Sequence, residues 1–224
     1  PASLPVVIQD HGSRADYRFP RLQRLLFRRT DGFLFAAPGQ ERPWLERGLI
    51  PSAERCFFVM ENASPFRMRP RPEARQRTGL TGDPVFLWVG HLDRNKDPLT
   101  VLEGFSSLAE WLPEARLYLI YRSGKLLAEV RAKVAGDPFL AKAVTLLGEK
   151  KRTELEAYYN SADYFLSGSH KEGSGYALLE AMSCGVVPIV TDIPSFRYLT
   201  GRGEIGGLWK AGRAEQLASV LREV

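Results

Sequence analysis

The chain has 224 residues, 44% of them apolar, with a formal net charge of +5 and an isoelectric point near 9.3. That length suits one large domain or two small ones, and the composition fits a folded core and excludes a fibrous or low-complexity chain. Modest basicity agrees with an anionic ligand, an anionic membrane surface or nucleic acid and separates none of them. Cys56 and Cys184 sit in apolar contexts without C-x-x-C spacing, which reads as two buried thiols in a reducing compartment. The histidines, His11, His91 and His170, are too scattered to suggest a metal centre.

In chain order, residues 6–9 read as a short buried strand and Asp10-His11-Gly12 as the loop after it. Residues 20–29 form an amphipathic basic helix whose Leu22, Leu25 and Leu26 are expected to pack on the neighbouring strands. Residues 32–36 and 56–60 read as further strands, with a helical stretch at 43–47. Residues 61–76 are rich in Pro and Arg and lack periodicity, which predicts a solvated linker.

A regular alternation follows. Strands are expected at 85–89, 115–121, 144–147, 164–166 and 187–191, and helices at 97–111, 124–135, 153–161 and 175–184, with a last helical pattern at 214–224. Apolar strands separated by helices imply a doubly wound parallel sheet, α/β and Rossmann-like, covered on both faces. Such sheets bind ligands beyond the carboxyl ends of their strands. No apolar run reaches membrane-spanning length. The abrupt start at Pro1 and the unfinished helical pattern at the other end read as an excised piece of a longer protein.

The most informative stretch is residues 167–185, Ser-Gly-Ser-His-Lys-Glu-Gly-Ser-Gly-Tyr-Ala-Leu-Leu-Glu-Ala-Met-Ser-Cys-Gly. Glu172 opens a glycine-rich turn, and Gly173 and Gly175 allow close approach of a phosphate to the amino end of the following helix. An ordinary strand-to-helix turn is the plainer alternative. Glu180 lies within that helix, apolar nearly all round, and no neighbour at helical spacing can pair its charge. A buried carboxylate without a local partner is costly unless something else satisfies it, and a ligand is one such source. The loop Gly90-His91-Leu92-Asp93-Arg94-Asn95-Lys96 follows a strand and precedes a helix, so Lys96 and Arg94 could neutralise a phosphate.

Together these segments resemble the retaining glycosyltransferases of the family four, group one type. The resemblance rests on the E-x7-E spacing of Glu172 and Glu180, the Gly90–Lys96 loop, Asn62 before the linker, and Gly206-Gly207-Leu208 as a later glycine-rich turn. It implies a GT-B fold of two Rossmann-like domains. Residues 1–70 would be the closing part of the acceptor-side domain and its linker, and residues 71–224 the nucleotide-sugar-binding domain.

The resemblance also implies roles. Glu172 would face the donor sugar at its anomeric carbon. Gly173, Ser174 and Gly175 would cradle sugar and diphosphate, with Gly90 beside them. Glu180 would accept from the ribose hydroxyls, Lys96 would stabilise the leaving diphosphate, and His11 would reach the donor sugar. The family has arginine where His91 stands and phenylalanine where Ser174 stands. A neutral histidine there weakens diphosphate binding unless Arg94 takes its place.

The implied activity is transfer of a sugar from a nucleotide-diphospho-sugar to a carbohydrate or lipid-linked acceptor, with retention of configuration. The absence of a D-x-D sequence agrees with a metal-independent mechanism, and no cofactor is implied beyond the nucleotide-sugar substrate. A non-catalytic nucleotide-sugar binding module, suggested by His91, is the alternative. The arginine-rich linker lacks interleaved aromatics, so nucleic acid is not an expected partner. The expected setting is cytoplasmic, with peripheral contact at the inner membrane face if the acceptor is a lipid.

Overall fold

The computed structural model describes residues 4–12, 20–60, 62–122 and 124–223. Two parallel sheets organise the chain. The smaller has three strands in the order β1 (Val7–Gln9), β2 (Gly32–Phe35), β3 (Cys56–Phe58), interleaved with helices α1 (Pro20–Phe27) and α2 (Arg42–Glu46). Its own core is small: Phe33, Phe35, Trp44, Leu49 and Ile50. The larger has six strands in the order β6-β5-β4-β7-β8-β9. These are β4 (Val85–His91), β5 (Arg116–Arg122), β6 (Val144–Gly148), β7 (Tyr164–Ser167), β8 (Val187–Thr191) and β9 (Gly207–Trp209).

The helices of the larger sheet are α4 (Pro98–Trp111), α5 (Leu127–Gly136), α6 (Pro138–Ala143), α7 (Arg152–Ser161), α8 (Tyr176–Ser183), α9 (Pro194–Leu199) and α10 (Ala214–Leu221). They cover both faces, as the near-continuous apolar strands require. Along β4 the side chains alternate. Phe86 and Trp88 join the layer holding Val101, Phe105 and Leu217, while Val85 and Leu87 join the layer holding Tyr159, Phe165, Leu178 and Phe196. Strand order runs outward from β4 in both directions, so the chain reverses its winding between β4 and β7. The crevice at the carboxyl ends of those two strands is the topological switch point, where doubly wound sheets hold ligands.

Four expectations need correction. The stretch 61–76 is not simply a solvated linker: helix α3 (Arg71–Thr78) forms within and beyond it. Its arginines are anchored, because Arg71 and Arg75 both pair with Asp163, at 3.1 and 2.7 Å, and Arg75 also donates to the Ser161 carbonyl. The leucines of α1 do not pack on the neighbouring strands; Leu22, Leu25 and Leu26 are 57–62% exposed. The buried residue of that helix is Gln23. Gly207 and Leu208 open β9 rather than forming only a turn. The predicted last helix stops at Leu221, and Val224 lies outside the described residues.

Candidate active site

Two loops meet at the switch point. The first follows β4, where Asp93 Oδ1 accepts from the Lys96 amide at 2.9 Å and the Asp97 amide donates to the Asp93 carbonyl at 3.0 Å. This turn sends Lys96 toward the second loop, where its ammonium pairs with a carboxylate oxygen of Glu172. The second loop follows β7 and runs through Glu172, Gly173 and Ser174 to Gly175, which caps α8 at φ 68°. That left-handed backbone suits glycine, and an added Cβ would lie 3.0 Å from Leu199. No side chain caps α8 and no acidic residue stands in its first turn. Its amino end therefore presents amide donors and a positive dipole end toward the crevice.

Above the crevice stands a cleft of about 560 Å3 whose lining includes Gly90, His91, Lys96, Glu172, Gly175 and Glu180. Six of the sequence-predicted residues are thus brought together. His11 sits at the margin, on the small sheet, and its loop abuts the Glu172 turn. A Cβ on Gly12 would lie 2.9 Å from the Gly173 backbone, and one on Gly173 would lie 3.0 Å from the His11 carbonyl oxygen.

Gly173 and Ser174 face the same way, toward the small sheet and the linker. Gln40 Nε2 donates to the carbonyls of Glu172 and Gly173, at 3.0 and 2.7 Å. Asn62 Nδ2 donates to Ser174 Oγ at 2.5 Å. Arg94 does not join the cleft. It lines a separate hollow with Asp97 and His170, whereas Lys96 lines the cleft.

Glu180 has no partner at helical spacing, and what satisfies it is the neighbouring helix as well as any ligand. Its side chain is 4% exposed, and Arg152 Nη1 donates to Oε1 at 2.5 Å. Tyr159, fully buried, donates its hydroxyl to Oε2 at 3.0 Å. Both donors come from α7, which lies beside α8, so neither is visible at helical spacing. Burial and the adjacent Glu180 charge push the Tyr159 hydroxyl well above its usual range, keeping it protonated and donating. The hydrogen bond to Glu180 likewise raises Arg152 further above the ordinary arginine value. Arg152 Nη2 also donates to the Tyr176 hydroxyl at 2.7 Å, and the guanidinium lies 5.0 Å from the ring centroids of both Phe66 and Tyr176. Arg152, Tyr159, Tyr176 and Gln40 are the site residues that sequence reasoning missed. The one available signal was the basic run Lys150-Lys151-Arg152 just after a strand.

Among the described residues no group of three or more His, Cys, Asp or Glu is placed to hold a metal ion. Nor is any helix among them long and apolar enough to cross a membrane.

The family profile described as "Glycosyl transferases group 1" matches residues 70–224. The chain belongs to the group 1 glycosyltransferases. It is 34% identical over 144 residues to the mannosylfructose-phosphate synthase of Agrobacterium fabrum, covering 60% of this chain and 30% of that protein. It is 29% identical over 138 residues to the GDP-mannose:cellobiosyl-diphosphopolyprenol alpha-mannosyltransferase of Xanthomonas oryzae pv. oryzae, covering 62% of this chain and 36% of that one. Among solved structures, Anabaena HepE in complex with UDP superposes with a TM-score of 0.81 at 19% identity, over 98% of this chain and 62% of that one. The fold is thus that of the GT-B glycosyltransferases. In each case this group 1 chain spans less than two thirds of its relative's own length.

Proposed function

We propose that this chain carries the donor site of a retaining glycosyltransferase that takes its sugar from a nucleotide-diphospho-sugar. The observation that carries the proposal is the cleft at the switch point, lined by Glu172, Glu180, Lys96 and Gly175. In this reading the diphosphate lies at the amino end of α8, where amides and dipole favour an anion. Lys96 supplies the full positive charge that offsets the charge growing on the leaving diphosphate. Electrostatic stabilisation of that kind is commonly the largest single term in such reactions. Glu172, which pairs with Lys96, faces the sugar carbon as positive charge develops there. Glu180, held between Arg152 and Tyr159, is a recognition group for the ribose hydroxyls, not a proton carrier.

The acceptor side is assigned to the small sheet. Its His11 loop packs on the Glu172 turn, and Gln40 fixes the two carbonyls of that turn. Residues 1–70 would then close one wall of the acceptor cleft, and residues 71–224 would hold the donor. The HepE structure contains UDP and the Xanthomonas relative is named for a polyprenol-linked acceptor. A nucleoside diphosphate and a carbohydrate or lipid-linked acceptor are the partners this reading assigns to the active protein. The chemistry it assigns uses no metal.

Calorimetric titration with UDP, GDP and ADP tests the donor assignment. One of the three is expected to bind, with Glu180→Ala weakening it by about tenfold or more, the scale of one lost hydrogen bond to a charged group. No binding by any nucleotide, or equal binding by the variant, contradicts it.

A further inference from the structure

Glu180 has two oxygens in different surroundings. Oε2 points into the core at the buried Tyr159 hydroxyl, and Oε1 points toward the cleft and is covered by Arg152, whose side chain is 49% exposed. The guanidinium is held on its protein side. It donates to Glu180 and to the Tyr176 hydroxyl, and it lies against the Phe66 and Tyr176 rings. Phe66 comes from the segment preceding α3, Tyr176 from α8 and Arg152 from α7. Three separate segments thus converge on one cation at the place where a ribose would meet Glu180.

We propose that Arg152 gates the nucleotide subsite: it caps the cleft-facing oxygen of Glu180, and a nucleoside diphosphate binds by displacing it. This inference rests on the donor-site reading above and adds to it a residue that sets selectivity. A ribose diol repays the displacement by donating to Glu180. An anion without a ribose, bound only at the amino end of α8 and at Lys96, never meets the gate. Both sets of bonds end on the Glu180 carboxylate, but only Arg152 adds the attraction of a full opposite charge, so exchanging it for neutral hydroxyl donors opposes binding. The displaced guanidinium need not leave the rim, because the Tyr176 hydroxyl and the two rings still hold it.

The test compares two probes on two proteins. Arg152→Ala, checked for folding by circular dichroism, is titrated with UDP, GDP and inorganic pyrophosphate beside the unaltered chain. The expected result is nucleoside diphosphate affinity raised up to about fivefold, about 1 kcal/mol, with pyrophosphate affinity unchanged. Unchanged or weakened nucleotide binding overturns the gate while leaving the donor-site reading standing. An equal gain for pyrophosphate also overturns it, since the effect would then not pass through Glu180. If neither nucleotide binds either protein, the donor-site reading falls and the gate with it. Arg152→Lys provides a second variant should Arg152→Ala fail to fold. A lysine keeps the charge but cannot bond Glu180 and Tyr176 through one planar fork, so a smaller gain in the same direction is expected. No gain in a folded Arg152→Lys counts against the proposal.

Discussion

Replacing Glu180 by alanine separates the two jobs of this carboxylate. In the structure it is the acceptor for the Tyr159 hydroxyl, a group with no exposure, and for Arg152, a group half in solvent. Removing it strands the buried hydroxyl, which costs about 1–3 kcal/mol. Arg152 regains water on its exposed side, so its loss is worth no more than about 1 kcal/mol. The desolvation that no longer has to be borne offsets part of this, leaving a net destabilisation of about 2 kcal/mol. For a chain of this size that corresponds to a melting point lower by about 4–8 °C. The assay is thermal unfolding of Glu180→Ala beside Tyr159→Phe, which removes the donor and keeps the charge. Both are expected to melt below the unaltered chain. A Glu180→Ala variant that melts higher would refute the argument. It would mean that the buried carboxylate costs more than Arg152 and Tyr159 return, and that only a ligand compensates it.

Other expectations follow from the same geometry. Lys96→Ala leaves the Glu172 carboxylate, 15% exposed, without its ion-pair partner. Donor turnover by the active protein is expected to fall about 100- to 1,000-fold, the scale seen when one stabilising donor is removed; a loss below tenfold contradicts the role given to Lys96. Gly12→Ala places a Cβ 2.9 Å from the Gly173 backbone at φ 86°. Overpacking of that kind costs about 1–3 kcal/mol, read as a lower urea midpoint, and an unchanged midpoint would show that the His11 loop and the Glu172 turn do not touch. Burial, with Glu156 and Glu180 nearby, pushes the Cys184 thiol up from 9.0 to about 12. The folded state then holds a proton that the unfolded chain releases, so this contribution is complete below pH 9 and is lost as pH rises toward 12. Folded protein at pH 8 is expected to leave Cys184 unmodified by a thiol reagent, and rapid native labelling there would contradict its burial.

The sequence showed the central strands and most of the helices clearly, and missed α3, α6, α9 and β9. Strands β4, β5, β7 and β8 are short apolar runs that are largely buried, so pattern alone locates them. Helices α3, α6 and α9 each carry a proline in their first turn, where its fixed φ suits a helix start, yet in sequence a proline reads first as a break. In α3 the contacts are made by arginines pairing with Asp163, so no apolar period marks it. Strand β9 has three residues, the first a glycine. At the site, the glycine turn and Lys96 were legible because their chemistry is local. The partners of Glu180 were not, since Arg152 and Tyr159 lie 28 and 21 residues away on another helix. The exposed Leu22, Leu25 and Leu26 of α1 show the converse: periodicity identifies an apolar face but not what covers it.

The most direct test of the account is a crystal structure of the chain with the nucleoside diphosphate that binds it. The account predicts the diphosphate at the amino end of α8 within reach of Lys96, the ribose hydroxyls on Glu180 Oε1, and Arg152 moved off that oxygen. A nucleotide bound elsewhere, such as in the hollow beside Asp97 and His170, or one seated in the cleft without touching Glu180, would contradict it.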